Sequence, residues 1–395
     1  MDFYKRSYEI KDYLVEIRRG LHENPEIGFD LTDTVGLVKN ELEKMGVKYS
    51  QPIESGIVAT LGHGDNCLLL RADMDALDIK EEADTICRSK NNYGHLCGHD
   101  FHTAMLLGTA KLLKEVEDQL PGTVKLMFQP AEEILAGSEK MIEAGVLENP
   151  KVSSAMMVHM DTTLDPGVYI KNGQMATANN NFRIKVKGSG SHGAMPEKGV
   201  DSAFICAQIV NALQVISSRE ISFRNGAVIT TGHIQAGNVP NIIPDYAIIE
   251  GTSRTYSQKN KDYIKRRIPE ISYHIAKAFR GEASFEILSD VGPIINDDFL
   301  VEKLVECLKE IKVNNPDFSY SDNAEAVTAS DDFANIALRV PSIMVMVGCK
   351  VDEEKIYPLH NPNAKFNEDS IIYGPCVMAS FVFKYFGGKN ENIML

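Results

Sequence analysis

Four short apolar runs in this chain each stop at side chains suited to chemistry. Cys67-Leu-Leu-Leu-Arg71-Ala72 runs into Asp73-Met74-Asp75, and Val124-Lys-Leu-Met-Phe128 into Gln129-Pro130-Ala131-Glu132-Glu133. Ser154-Ala-Met-Met-Val158 meets His159, and Pro341-Ser-Ile-Met-Val-Met-Val347 leads, after a longer loop, to Leu359-His360-Asn361-Pro362. The first of these, Cys67 to Ala72, is a short apolar run of the kind that forms a strand buried on both faces. Helical patterns lie between the four runs, so the chain is expected to be α/β, a mostly parallel mixed sheet with helices on both faces. Ligands of such sheets bind beyond the carboxyl ends of the strands. Paired carboxylates flush with a buried strand end are costly unless something cationic meets them there.

A fifth stretch belongs with these ends. His95-Leu-Cys97-Gly-His99-Asp100-Phe-His102-Thr103 packs three histidines, a thiol and a carboxylate into nine residues before an apolar helix expected from Thr103 to Glu117. Thiolate and neutral imidazole are the donors that borderline-soft divalent metals prefer. Taken alone, the stretch also reads as a capped helix with a histidine-rich start. Five metal-competent ends pointing at one crevice favour a site.

At the N-terminus an amphipathic helix is expected over 8–20, followed by a turn in which His22 reads as a structural loop residue, and a helix from Thr32. Between about 178 and 290 the pattern changes to strand, helix, strand, strand, helix, strand, from the alternating Phe182-Arg-Ile-Lys-Val-Lys187 to Ala283-Ser-Phe-Glu-Ile-Leu288. That order is the split βαβ or ferredoxin-like unit. A chain of 395 residues exceeds what one core usually holds. The expected division is therefore a catalytic metal-binding domain over 1–178 and 291–395, interrupted by an inserted α+β domain over 179–290.

With 41 basic against 55 acidic residues the net charge is −14, which argues against nucleic acid or an anionic membrane as partner. No apolar run is long enough to span a bilayer, and Met1-Asp-Phe-Tyr-Lys-Arg carries no signal core, so a cytoplasmic location is expected. The seven scattered cysteines form no disulfide framework.

Cys97, His99, one of Glu132 and Glu133, His159 and His360 make five candidate ligands, more than a catalytic site with one zinc takes. Two divalent ions about 3.5–4 Å apart fit better, with Cys97 as a possible bridge. One of the adjacent glutamates would be a ligand. The other would stand beside water as general base, then general acid. Asp75 would fix an imidazole's tautomer. Zinc, manganese, cobalt or nickel would suit this donor set. His63, His233 and His274 attract no functional reading.

These motifs, with Arg18-Arg-Gly-Leu-His22, Leu70-Arg-Ala-Asp-Met-Asp-Ala-Leu77, Phe128-Gln-Pro-Ala-Glu-Glu133, His192-Gly-Ala-Met-Pro196 and Asn241-Ile-Ile-Pro-Asp245, span nearly the whole chain. Together they resemble the dinuclear-metal amidohydrolases of the aminoacylase and carboxypeptidase G superfamily, in the branch of hippurate hydrolases, auxin-conjugate hydrolases and N-acetyldiaminopimelate deacetylases. The resemblance implies Glu132 as base and Glu133 as ligand, with one metal on Cys97, Glu133 and His360 and the other on Cys97, His99 and His159. It further implies that the insertion is a lid and dimerisation domain, that His192 helps stabilise the oxyanion, often across a homodimer, and that Asn241 contacts substrate. The implied reaction is hydrolysis of the amide bond in small N-acyl amino acids or conjugates. A dipeptidase or carboxypeptidase on the same scaffold and a non-catalytic binder are the alternatives. Asp78, Glu197, Asp331 and the segment after His159 depart from the relatives' pattern, which leaves the substrate open.

Overall fold

The computed structural model describes residues 1–387. In chain order the elements are α1 (Phe3–Glu9), α2 (Lys11–Glu23), α3 (Thr32–Lys44), β1 (Lys48–Ile53), β2 (Gly56–Leu61), β3 (Cys67–Asp73), α4 (His99–Glu115), β4 (Thr123–Gln129), α5 (Gly137–Glu143), β5 (Val152–Asp161), β6 (Gly167–Tyr169), β7 (Gly173–Ala176), β8 (Ala178–Lys187), β9 (Ser191–His192), α6 (Ser202–Val215), β10 (Ala227–Ala236), β11 (Ile242–Ile243), β12 (Tyr246–Thr255), α7 (Gln258–Ala278), β13 (Glu282–Val291), β14 (Ile294–Asn296), α8 (Asp298–Asn314), β15 (Tyr320–Ser321), α9 (Ala334–Ala337), β16 (Ser342–Gly348) and α10 (Tyr373–Tyr385). The described residues fall into two compact units, the first formed by 1–175, 295–326 and 331–387, the second by 176–294 and 327–330.

The first unit is built on a sheet ordered β1-β2-β4-β3-β5-β16-β6-β15. Its centre, β4-β3-β5-β16, is parallel throughout. The flanking pairs β1–β2, β2–β4 and β16–β6 are antiparallel. All residues of β3, β4 and β16 are buried, including the polar Arg71 and Lys125 among their apolar neighbours. One set of alternate side chains, Leu68, Leu70, Leu126, Phe128, Met156, Val158, Ile343 and Val345, joins a core with α1, α2, α4, α8 and α10. The other set, including Leu69, Met127, Met157 and Met346, is equally buried on the opposite face. Pleating thus explains why both faces are covered.

The N-terminus departs from the single helix expected over 8–20. Asp2 caps α1 by accepting from the amides of Tyr4 and Lys5, and Phe3, Tyr4 and Ser7 are buried, so this short helix exists on its own, divided from α2 at Ile10. Helix α4 starts at His99, four residues before the expected Thr103. Gly98, at φ +89°, turns the chain into it, and a Cβ there would lie 3.0 Å from Met160 Cβ and 3.1 Å from the Phe366 ring. Only glycine takes that backbone and that proximity without strain.

The second unit has a four-stranded sheet ordered β10-β12-β8-β13, antiparallel at each step, with α6 and α7 packed on it, and a separate two-stranded ladder of β9 and β11. In order along the chain this is strand 2-3-1-4, the ferredoxin-like arrangement. Its own core includes Phe182, Ile184, Ile205, Ile209, Ile249, Ile264 and Ile268. The ladder reaches Ala178 opposite Thr255 and Val291 opposite Asn179, so limits at 179 and 290 each cut one rung inside the sheet. A remote piece completes the unit: Thr177 N–H donates to the Ala329 carbonyl at 2.9 Å, and its hydroxyl to Thr328 O at 2.8 Å.

Candidate metal centre

The parallel strands β3, β4 and β5 end on the same edge of the first unit's sheet, and the residues following them meet the start of α4. Sγ of Cys97 lies 3.7 Å from His159 Nε2 and 3.2 Å from His360 Nε2. His360 Nε2 is 3.6 Å from Glu133 Oε2, and His99 Nε2 is 3.7 Å from Glu133 Oε1. Donor atoms of Cys97, His99 and His159 all lie within 4.8 Å of one another, and so do those of Cys97, Glu133 and His360. Five side chains drawn from residues 97 to 360 therefore form two sets that share one sulfur.

These donors fit cations. Two ligands bound tetrahedrally at 2.0–2.3 Å from one ion sit roughly 3.4 Å apart, close to the separations here, and the two N···O separations are too long for hydrogen bonds. His99 Nε2 and Glu133 Oε1 are buried with no hydrogen-bond partner. The imidazoles are also turned correctly. His99 Nδ1 sits 2.8 Å from the Asp75 carbonyl and His159 Nδ1 2.8 Å from the Met160 carbonyl. A carbonyl only accepts, so each Nδ1 carries the proton and each Nε2 offers its lone pair to the site.

Charge in the site points the same way. Burial works against a proton on His99, yet Asp73, Asp75 and Glu133 together push it up to about 10. Burial raises Glu133 to about 7, with Asp75 and Asp73 adding to the shift against the pull of His99. Burial also drives Glu132 well above the usual carboxylate range, reinforced by Asp331, Glu133 and Asp332. Burial and the same glutamates hold the Cys97 thiol up. Positive charge among these groups relieves all four at once.

Asp75 supports the site in two ways. Its main-chain carbonyl, rather than its carboxylate, sets the His99 tautomer, while the carboxylate accepts from the amides of Glu132 (3.0 Å) and Glu133 (3.1 Å). The glutamates are thus fixed to the end of β3. Glu132 Oε2 lies 3.9 Å from His99 Nε2 and close to Asp331 and Asp332.

Sequence reasoning missed a buried ion network. Arg71, fully enclosed, donates to Asp73 (2.5 Å), Asp332 (3.0 Å), Asp331 (3.2 Å) and Gln129 (2.9 Å). Asp331 therefore belongs to the buried ion network beside Glu132. The available signal was an arginine inside an otherwise apolar run. His22 is also not a loop residue: it is buried near the end of α2, with Nδ1 2.8 Å from Asp100 and Nε2 3.1 Å from Glu81. In the second unit, His192 in β9 is exposed and pairs with Ile242 in β11, and Gly193 N–H donates to the Asn241 carbonyl at 2.8 Å. The two residues expected to face substrate are neighbours on one exposed ladder of that unit.

The family profile described as peptidase family M20/M25/M40 matches residues 69–384. IAA-amino acid hydrolase ILR1-like 4 of Arabidopsis thaliana is 36% identical over 380 residues, covering 95% of this chain and 86% of the plant protein. N-acetyl-L-cysteine deacetylase of Bacillus subtilis is 33% identical over 368 residues, covering 92% and 86%. The crystal structure of a Bacillus subtilis dinuclear metal-binding peptidase superposes with a TM-score of 0.82 at 28% identity, covering 96% of this chain and 99% of that one.

Proposed function

Because the chain belongs to peptidase family M20/M25/M40 and is a metal-dependent amide hydrolase, we propose that it cleaves the bond between a small acyl group and an amino acid, with Glu132 as the proton-transferring base. The observation that carries this is the pair of donor sets sharing Cys97, with one buried carboxylate left beside them. Cys97, His99 and His159 would hold one divalent cation and Cys97, Glu133 and His360 the other. Zinc, cobalt, nickel or manganese suits these donors, and such ions supply Lewis acidity toward the scissile carbonyl and lower the pKa of water.

The remaining work falls to side chains. Glu132 takes a proton from water and passes it to the departing amine, a role open to a carboxylate whose pKa its surroundings have raised. Asp75 keeps both glutamates and His99 aligned. His192 meets the charge that develops on the carbonyl oxygen, and Asn241 contacts substrate. The activities by which these relatives are named, IAA-amino acid hydrolase and N-acetyl-L-cysteine deacetylase, support small N-acyl amino acids as the substrate class.

A homodimer formed through the second unit completes the reading. Strand β10 is a sheet edge of ten residues that exposes Val228 and Ile234, the kind of edge that pairs with another chain. Among the described residues no helix is long and apolar enough to cross a membrane. All seven cysteines are free, which suits a reducing compartment such as the cytoplasm.

The test is a pair of variants assayed on acetyl- and benzoyl-amino acids beside free dipeptides. Glu132→Gln should keep its metal and lose about 10²–10⁴-fold in kcat. Glu133→Ala should lose metal. Turnover retained in Glu132→Gln, or a preference for dipeptides, would overturn the assignment.

A further inference from the structure

His102 is the third histidine of the Cys97 stretch, and no metal role falls to it in the ligand sets above. It is buried and lies beside the ligands: its ring centroid is 4.6 Å from that of His159 and 5.3 Å from that of His99. Its donor atoms group with those of Asp73 and His99 within 4.8 Å, so proximity alone would admit it as a ligand. Its hydrogen bonds do not. The amide of Met160 donates to His102 Nε2 at 2.9 Å, which occupies the lone pair a metal would need. The proton therefore sits on Nδ1, which donates to Asp73 Oδ1 at 2.5 Å.

The position of that amide explains why it needs an imidazole. Strand β3 pairs with β5 only as far as Arg71 opposite Met157, and beyond that rung the sheet opens toward the site. On its other side β5 stays paired with β16, through Met346 opposite His159 and Val347 opposite Met160. The Met160 amide thus points into the gap where a β3 carbonyl would otherwise accept it, and His102 takes that place. The other polar main-chain group of Met160, its carbonyl, is the one that accepts from His159 Nδ1. A continuous chain results: Arg71 to Asp73, Asp73 to His102, His102 to the Met160 amide, and the Met160 carbonyl to His159.

We propose that His102 is a positioning residue, which holds the end of β5 in register through Met160 and so aims His159 at its metal without touching the metal itself. The inference rests on the two-cation reading of the site. It predicts an asymmetric defect, because His159 belongs to only one donor set. Losing an outer-shell partner of a metal ligand typically weakens that metal by about 10–100-fold.

Chelator-stripped wild type, His102→Leu and His102→Gln are titrated calorimetrically with Zn²⁺. Glutamine retains a carbonyl for the Met160 amide and an NH₂ for Asp73, whereas leucine retains neither. Wild type should take two ions. His102→Leu should bind one of them about 10–100-fold more weakly with the other unchanged, and His102→Gln should stay close to wild type. In ¹⁵N-histidine-labelled wild type loaded with ¹¹³Cd²⁺, three imidazoles should couple to cadmium while His102 remains an uncoupled Nδ1–H tautomer. This measurement stands even where the leucine variant fails to fold. Coupling of cadmium to His102 would overturn the proposal, as would a His102→Gln variant that loses its ion as fully as His102→Leu. Unchanged affinities in both variants, with only a lower melting temperature in His102→Leu, would also overturn it. A wild type that binds no ion would overturn the two-cation reading itself, an outcome distinct from two bound ions and insensitive variants.

Discussion

Gly137 stands where no side chain can go. A Cβ there would come 1.6 Å from the Pro130 carbonyl oxygen, and the Gly137 amide itself donates to the Ala131 carbonyl at 3.1 Å. Ala131 already holds a left-handed φ of +56° immediately before the two glutamates. Gly137→Ala should therefore push the 130–131 turn outward, cost about 3 kcal/mol in denaturant unfolding, and lower metal content by displacing Glu133. A second residue-level prediction concerns Glu368, which takes Arg19 through both oxygens (2.9 and 2.6 Å) and Arg18 at 3.2 Å. Burial alone would raise its pKa, but the hydrogen bond from Arg19 and the charges of Arg18 and Arg19 pull it below the usual value. A depressed carboxylate stabilises the fold above its unfolded pKa of about 4.3, and that contribution disappears as pH falls through the folded value. Glu368→Gln should therefore be about 1 kcal/mol less stable than wild type at pH 7, with the gap narrowing below about pH 4.5 in melting curves. At this scale the sequence disclosed the donors and left their supports unread. Cys97, His99, His159 and His360 announce themselves by residue type, but the link from Arg71 through Asp73 to His102 exists only after β3 and α4 have packed.

Among the elements, the strands were legible and the helix ends were not. Mostly apolar runs marked β3, β4, β5 and β16 because burial on both faces leaves little choice of residue. The start of α4 was misplaced because His99, Asp100 and His102 look like loop residues until Gly98 turns the chain and the first turn is enclosed. Asp100 suits that first turn, where a carboxylate faces the helix N-terminus and Arg18 lies 2.7 Å away. The edge strand β10 carries the element-level prediction. Ile234→Lys places a charge on its exposed apolar surface. Sedimentation should show a shift from dimer toward monomer while the metal content of the protein is unchanged. A dimer of undiminished stability would place the interface elsewhere.

For the whole molecule, the donors of the site are spread over residues 97 to 360, so bound cations tie distant parts of the first unit together. Chelation should lower the melting temperature, and added Zn²⁺ should restore it with the logarithmic concentration dependence of a ligand that binds only the folded state, about 2.7 kcal/mol at a hundredfold excess over Kd. The second unit keeps its own core through the same treatment, so the effect should appear in one of two calorimetric transitions. Alternation of strands and helices disclosed a parallel sheet with an insertion, yet the order of strands was beyond reach, since nothing local says which neighbour a strand will choose. That order has a consequence for synthesis. Strand β16, at 342–348, lies between β5 and β6, whose residues end by 169. A growing chain must therefore finish its entire insertion while the middle of its main sheet is still missing a slat, with two bare strand margins waiting for residues 342–348 to leave the ribosome.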